Sequence, residues 1–168
     1  YATVRLNVAD PLKLIIGGRL DWYDYDDKSG SSDYQVNANL TKYAGVLYDL
    51  DDTYTAYASY TDIFTPQSNV DRSGNLLDPI VGENYEIGLK GAYFGGALNA
   101  SLALFIVDQT NRATTVSDPS TCTTASSCSE PAGLVRSKGV DLELQGALTD
   151  NWQIGAGYTY TEAEYVDD

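Results

Sequence analysis

The chain contains no histidine and no methionine, only two cysteines, and 10 lysines and arginines against 24 acidic residues. Without histidine it lacks the usual general base near neutral pH and the commonest transition-metal ligand. A formal charge of −14 argues against nucleic acid as a partner, which wants a basic face. No run of 18 apolar residues occurs, so no helix of this chain can span a bilayer. The longest apolar stretch is Leu14, Ile15, Ile16, Gly17 and Gly18. The missing Met, with no leader at the front, reads as a processed or partial chain. These absences do not exclude a membrane, because a spanning β-strand needs only ~10 residues with every second one apolar.

What the sequence does have is tyrosine and a rhythm. Tyr accounts for 14 residues, against three Phe and two Trp. Tyr suits a boundary where one side of the ring meets lipid and the other meets water. Alternating apolar and polar residues predict eight strands, at 3–9, 12–25, 35–48, 54–64, 84–93, 97–113, 134–148 and 152–165. The breaks at 10–11, 49–53, 94–96 and 149–151 are tight, whereas 26–34, 66–83 and 114–133 are long and polar. Tight turns at one end and long loops at the other are the organisation of an outer-membrane barrel.

The rows sort by face. Val4, Leu6 and Val8 fall together, as do Leu12, Leu14, Ile16, Leu20 and Trp22. Val36, Ala38 and Leu40 form the next row, with a bulge expected past Lys42, where the alternation loses phase. The fourth strand mixes Tyr and Ala with Thr and Ser and has no clear face. Tyr85, Ile87 and Leu89 oppose Glu86 and Lys90; Val140, Leu142 and Leu144 oppose Asp141 and Glu143. Those charges would be costly in a dry sandwich core and cost little in a wet or plugged lumen. Several strands exceed ten residues, whereas soluble strands are usually ~5–6 long. Aromatic girdles are expected at Trp22, Tyr23 and Tyr25 on one level, and at Tyr48, Tyr54, Tyr93 and Trp152 on the other. Eight strands closed alone would leave no edge, but the chain starts within a strand and ends on Val166, Asp167 and Asp168. The expectation is an interior slice of a larger barrel, all-β and antiparallel.

Cys122 and Cys128 lie in the longest loop and read as a loop-closing disulfide in an oxidising compartment. The rival reading, metal binding by the pair, lacks a nearby His or third Cys. Two acidic groups, Asp24 with Asp26, Asp27 and Asp33, and Asp49 with Asp51 and Asp52, could hold a divalent cation or be solvated turns. Neither has the EF-hand order.

Three blocks carry a resemblance. The first runs from Tyr57 to Gln67 (YASYTDIFTPQ). The second is Gly74 to Pro79 (GNLLDP) followed by Gly82 to Gly91 (GENYEIGLKG). The third is Arg136 to Leu144 (RSKGVDLEL), with Trp152-Gln153 and Gly157 to Tyr160 after it. In this order they resemble the later part of the barrel of TonB-dependent ferric-siderophore receptors, in the ferripyoverdine and ferric-hydroxamate branch. The resemblance implies a barrel of about 22 strands with a plugged lumen, of which this chain supplies about eight strands. It implies residence in the bacterial outer membrane among lipid and lipopolysaccharide, and uptake of a ferric siderophore of hydroxamate or pyoverdine type. TonB would supply energy through a plug that these residues do not include. No enzyme activity and no cofactor are implied, because the iron arrives already coordinated by the siderophore. Ligand contacts are expected near the outer strand ends, at Tyr25, Phe64, Gln67, Gln109, Arg112 and Arg136. A salt bridge or a lipopolysaccharide phosphate is the competing role for Arg112, and girdle packing for Tyr25 and Phe64. Gly139 is expected to allow a bend or a close strand approach. The alternatives from other classes are a small self-closed eight-stranded barrel acting as an adhesin or anchor, and a soluble carbohydrate-binding sandwich. A hydrolase is weaker still, with no His and no nucleophile elbow.

Overall fold

The computed structural model describes residues 1–25, 34–123, 127–149 and 151–166. Its strands are β1 (Ala2–Ala9), β2 (Leu12–Tyr25), β3 (Tyr34–Asp49), β4 (Tyr54–Thr65), β5 (Ile80–Tyr93), β6 (Leu98–Thr110), β7 (Ala113–Thr115), β8 (Ser129–Pro131), β9 (Val135–Thr149) and β10 (Trp152–Tyr165). Eight of them form one sheet in the order β1-β2-β3-β4-β5-β6-β9-β10, and β7 pairs with β8 in a separate two-stranded sheet. Every pairing is antiparallel. β1 and β10 are the two edges and do not pair with each other. Among the described residues the sheet is therefore open, and the self-closed eight-stranded barrel is not formed.

Register decides what each face is made of. On one face, Ala58, Ile87, Leu104, Val140 and Tyr160 sit side by side across successive strands, and Ala56, Leu89, Leu102, Leu142 and Tyr158 form the next row. Most of their large members are exposed, Ile87 at 57% and Tyr158 at 61%. Val4, Leu6, Val8 and Ile16 extend this bare apolar surface across β1 and β2. Exposure of so much contiguous apolar surface is the state of a wall whose solvent is hydrocarbon. The band ends at a row of Asp62, Glu83, Asp108, Arg136 and Glu164 on adjacent strands. Tyr93 to Glu83 is ten positions along β5. At ~3.3 Å per residue and a tilt of ~45° this projects to ~23 Å, close to the ~25 Å band of an outer-membrane barrel.

The opposite face carries Lys13, Asp49, Glu86, Lys90, Asp141 and Glu143. Here polar groups satisfy one another. The Tyr57 hydroxyl donates to Glu86 at 2.6 Å, Lys90 lies 4.8 Å over the Tyr57 ring, and Thr159 donates to Asp141 at 2.5 Å. Lys13 pairs with Asp49, which also accepts from Thr55.

Several details differ from the sequence expectation. The bulge lies at Asn37 and Ala38 opposite Trp22, not past Lys42: pairing passes from Asp21–Asn39 to Tyr23–Val36, and Ala38 has φ of 56°. This flips β3, placing Val36 on the face of Tyr23 and leaving Leu40 on that of Leu20. Tyr23 alternates away from Trp22, onto the face of Val36, whereas Tyr60 and Tyr85 stand side by side on the apolar face with ring centroids 5.1 Å apart. β5 starts at Ile80, before the expected residue 84, and β6 stops at Thr110, because Asn111 turns left-handed with φ of 63°.

Gly139 meets its expectation. A Cβ there would fall 2.1 Å from the Tyr160 carbonyl oxygen and 2.6 Å from the Phe105 ring. Strands on both sides press on this residue. Gly139→Val should destabilise the wall by about 1–3 kcal/mol through overpacking. The expected readout is reduced outer-membrane yield and a lower temperature of the heat-induced gel shift; a wild-type transition would refute the close-packing account.

Candidate functional site

The tight connections at 10–11, 50–53 and 94–97 lie at one end of the sheet, and the long ones after β4 and β6 lie at the other. The long-loop end is where chemistry can be varied without disturbing the ladder. Two of its loops are described at length, 66–79 and 111–134, and they form one body. Ser129 N–H donates to the Val70 carbonyl at 2.8 Å, and Thr123 N–H to the Arg72 carbonyl at 2.9 Å. Arg72 pairs with Glu130 at 3.0 Å. Leu77 of the first loop and Val116 and Cys128 of the second are buried. Cys122 and Cys128 form the expected disulfide, with Cα atoms 5.8 Å apart.

Beneath this body three strand ends are tied together. Gln67, just past β4, donates from Nε2 to the Asp78 carbonyl at 2.5 Å and to the Asn111 carbonyl at 2.7 Å. Asn111, just past β6, donates from Nδ2 to the Pro79 carbonyl at 3.1 Å. Arg112 follows; its carbonyl accepts from Ala132 N–H at 2.7 Å. Its guanidinium is exposed and has no ion pair among the described residues.

The expected contact residues therefore separate. Gln109 and Arg112 stand close in sequence at the outer end of β6, Gln109 on the polar face and half-buried. Gln67 is joined to them through Asn111, but its amide hydrogens are both committed to carbonyls. Phe64 and Arg136 lie on the apolar face. Arg136 makes a two-pronged pair with Asp108, at 2.7 and 2.6 Å. The side chain of Tyr25 lies outside the described residues, as do Asp26, Asp27 and Asp33. Of the two acidic groups, that of Asp24 lies largely outside the described residues; in the other, Asp49 is held by Lys13, and Asp51 accepts the Thr53 and Tyr54 N–H groups of its own turn. Among the described residues no cluster has the make-up of a metal site.

Sequence reasoning missed two features. One is a crevice of about 530 Å³ where β3 and β4 part company beyond the Tyr43–Thr61 pair, lined by Leu40, Lys42, Asp62 and Phe64. There the Asp62 carboxylate takes the Lys42 N–H at 2.9 Å. The other is Asn84, whose side-chain oxygen is buried on the polar face with no donor among the described residues.

A family model described as TonB dependent receptor-like, beta-barrel, matches residues 1–168. The chain belongs to this family. It is 42% identical, over 100% of its length, to the ferric-pyoverdine M114 receptor of a Pseudomonas strain, covering 21% of that relative. It is 41% identical over 95% of its length to the ferripyoverdine receptor of Pseudomonas aeruginosa, covering 20% of it. The crystal structure of the P. aeruginosa ferripyoverdine receptor bound to ferripyoverdine superposes with a TM-score of 0.81 at 39% identity. That match covers 96% of this chain and 22% of that one. The chain thus spans about a fifth of the length of the curated relatives it matches. As a piece of a TonB-dependent receptor barrel it is outer-membrane wall. Its apolar face is the lipid side, its polar face the lumen, and its long loops the extracellular rim.

Two rim turns are held by carboxylates. Asp71 accepts from the N–H groups of Ser73 and Asn75, and Asp118 from that of Ser120. Asp71 is held below the usual 3.8 chiefly by the Asn75 N–H, and Asp118 chiefly by the Ser120 hydroxyl. A depressed folded-state value means the stabilisation is complete above about pH 4 and is lost as pH falls below it. Amide protection at Ser73, Asn75 and Ser120, corrected for intrinsic exchange, should be constant from about pH 7 to 5 and fall below about pH 4. Protection unchanged down to about pH 2 would contradict this.

Opening the disulfide should loosen the same body. For a ring this short the loop-closure contribution is about 2 kcal/mol. Cys122→Ser with Cys128→Ser should therefore raise exchange at Val116 and Ser129 by about thirtyfold, with the strand amides unaffected.

Proposed function

We propose that this chain forms part of the wall and outer vestibule of a receptor that takes up a ferric siderophore across the outer membrane. The observation that carries the reading is the match along the whole chain to ferric-pyoverdine receptors. Other relatives are a ferrichrome transporter of Escherichia coli and a ferrioxamine B receptor of Salmonella typhimurium, at 32% and 35% identity. The chelate class that follows is hydroxamate or pyoverdine type. Iron is cargo here, its coordination sphere filled by the chelator, so the wall recognises only the organic periphery. No bond of the cargo is made or broken, and no catalytic group is required. Energy would come from TonB acting on a plug domain carried elsewhere in the receptor.

Of the candidate contacts, Gln109 and Arg112 fit the task best. Gln109 faces the lumen at its outer end, and Arg112, whose guanidinium has no ion-pair partner among the described residues, can offer it to a chelate carboxylate or oxygen. Tyr25, at the outer end of β2, remains a candidate on position alone. Phe64 and Arg136 are assigned to the lipid side. There the charged row with Lys42 and Lys138 would meet lipid headgroups and lipopolysaccharide.

In the full receptor, Arg112→Ala and Gln109→Ala should each weaken ferripyoverdine binding by about tenfold, the ~1.5 kcal/mol of one hydrogen bond to a charged group. The measurement is fluorescence titration of purified receptor. Wild-type affinity in both variants would remove these residues from the site.

A further inference from the structure

Gln67 and Asn111 hold the outer ends of β4, β5 and β6 in a closed set of hydrogen bonds. Gln67 bridges the Asp78 and Asn111 carbonyls, and Asn111 reaches back to the Pro79 carbonyl. Asn111 does this from a left-handed backbone, φ 63°, a region that Asn tolerates better than other side chains. The result bears on the next residue. The carbonyl before Arg112 is held by Gln67 and the carbonyl of Arg112 by Ala132. The backbone of Arg112 is therefore pinned on both sides, while its guanidinium has no ion-pair partner among the described residues. A fixed stem with an uncommitted charged head is the arrangement of a preorganised contact, in which ordering entropy is lost on folding and not on binding.

We propose that the Gln67–Asn111 clasp is a positioning device that sets ferric-chelate affinity through Arg112 without touching the ligand. This rests on the siderophore-receptor reading. The clasp also joins the roots of both outer loops, 66–79 and 111–134, so the height of Arg112 above the lumen is fixed by three strands together. Gln67 and Asn111 are positioning residues, and their effect depends on Arg112 being present.

The test is a double-mutant cycle in the full receptor, with ferripyoverdine as the probe and ferrioxamine B as a second chelate. Gln67→Leu removes both bridging bonds at similar volume. It should weaken binding by about five- to tenfold in the wild-type background and by less than about twofold in the Arg112→Ala background. Asn111→Gly keeps the left-handed backbone and loses only the Nδ2 bond. It should cost about threefold, again only when Arg112 is present. Asn111→Gly is the milder variant and carries the test if Gln67→Leu lowers outer-membrane levels. Equal losses in both backgrounds would mean that the clasp acts generally on the loops, and the positioning role would fall. Wild-type affinity in both clasp variants would also overturn it. A wild-type receptor that binds neither chelate would instead overturn the siderophore reading on which the proposal stands.

Discussion

Every structural property of this chain depends on one constraint: a backbone crossing hydrocarbon has no water to take its N–H and C=O groups, so each must find a partner on the next strand. A helix meets that demand within itself. A strand meets it only through neighbours, which explains why the sheet runs β1 to β6, then β9 and β10, without skipping a place in the wall. The intervening β7 and β8 leave the sheet and pair with each other. Where the ladder does fail, between β3 and β4, a side chain steps in and Asp62 accepts the Lys42 N–H. The failure lies at the charged row, above the apolar band, where polar groups can be hydrated.

Once the ladder fixes register, a period of two does the rest. The lipid face and the lumen face are made by the same strands, one residue apart. The lumen face can therefore hold Glu86, Lys90, Asp141 and Glu143 while the next atoms along the chain face acyl tails. Glu86, Lys90 and Asp141 there are held by local contacts within the sheet, to Tyr57 and Thr159. Exposed apolar residues, the buried side-chain oxygen of Asn84 and so few buried side chains among the described residues would all signal trouble in a water-soluble domain. Here they follow from an inside that is polar and an outside that is not.

Much of this was legible in the sequence because period-two alternation is a strong signal over long strands. The eight wall strands, the end carrying the long loops and the disulfide all stood in the residues. The bulge did not, because Asn37, Ala38 and Asn39 break the pattern no more than a loop would, and φ at Ala38 is set by pairing with β2. The β7–β8 pair was hidden by its length and by Thr, Ser and Pro, which read as loop. Arg136 is different, because its signal was present: it shares parity with Val140, Leu142 and Leu144, the lipid-facing row. Phe64 sat on a strand whose Tyr, Ala, Thr and Ser gave no face. Gln67 could not have been placed, because its partners are carbonyls, and carbonyls carry no sequence identity.

The joined outer loops have a consequence for how such a surface diversifies. Segments 66–79 and 111–134 share cross-loop backbone bonds and an ion pair. A substitution in one is felt by the other, so the two must drift in step. Val70 answers to Ser129, and Arg72 to Glu130 and, through its carbonyl, to the Thr123 N–H. Anyone building chimaeric receptors from this wall should treat the pair as a single cassette, moved together or left in place. A graft of either half alone would bring a surface whose complement stayed behind.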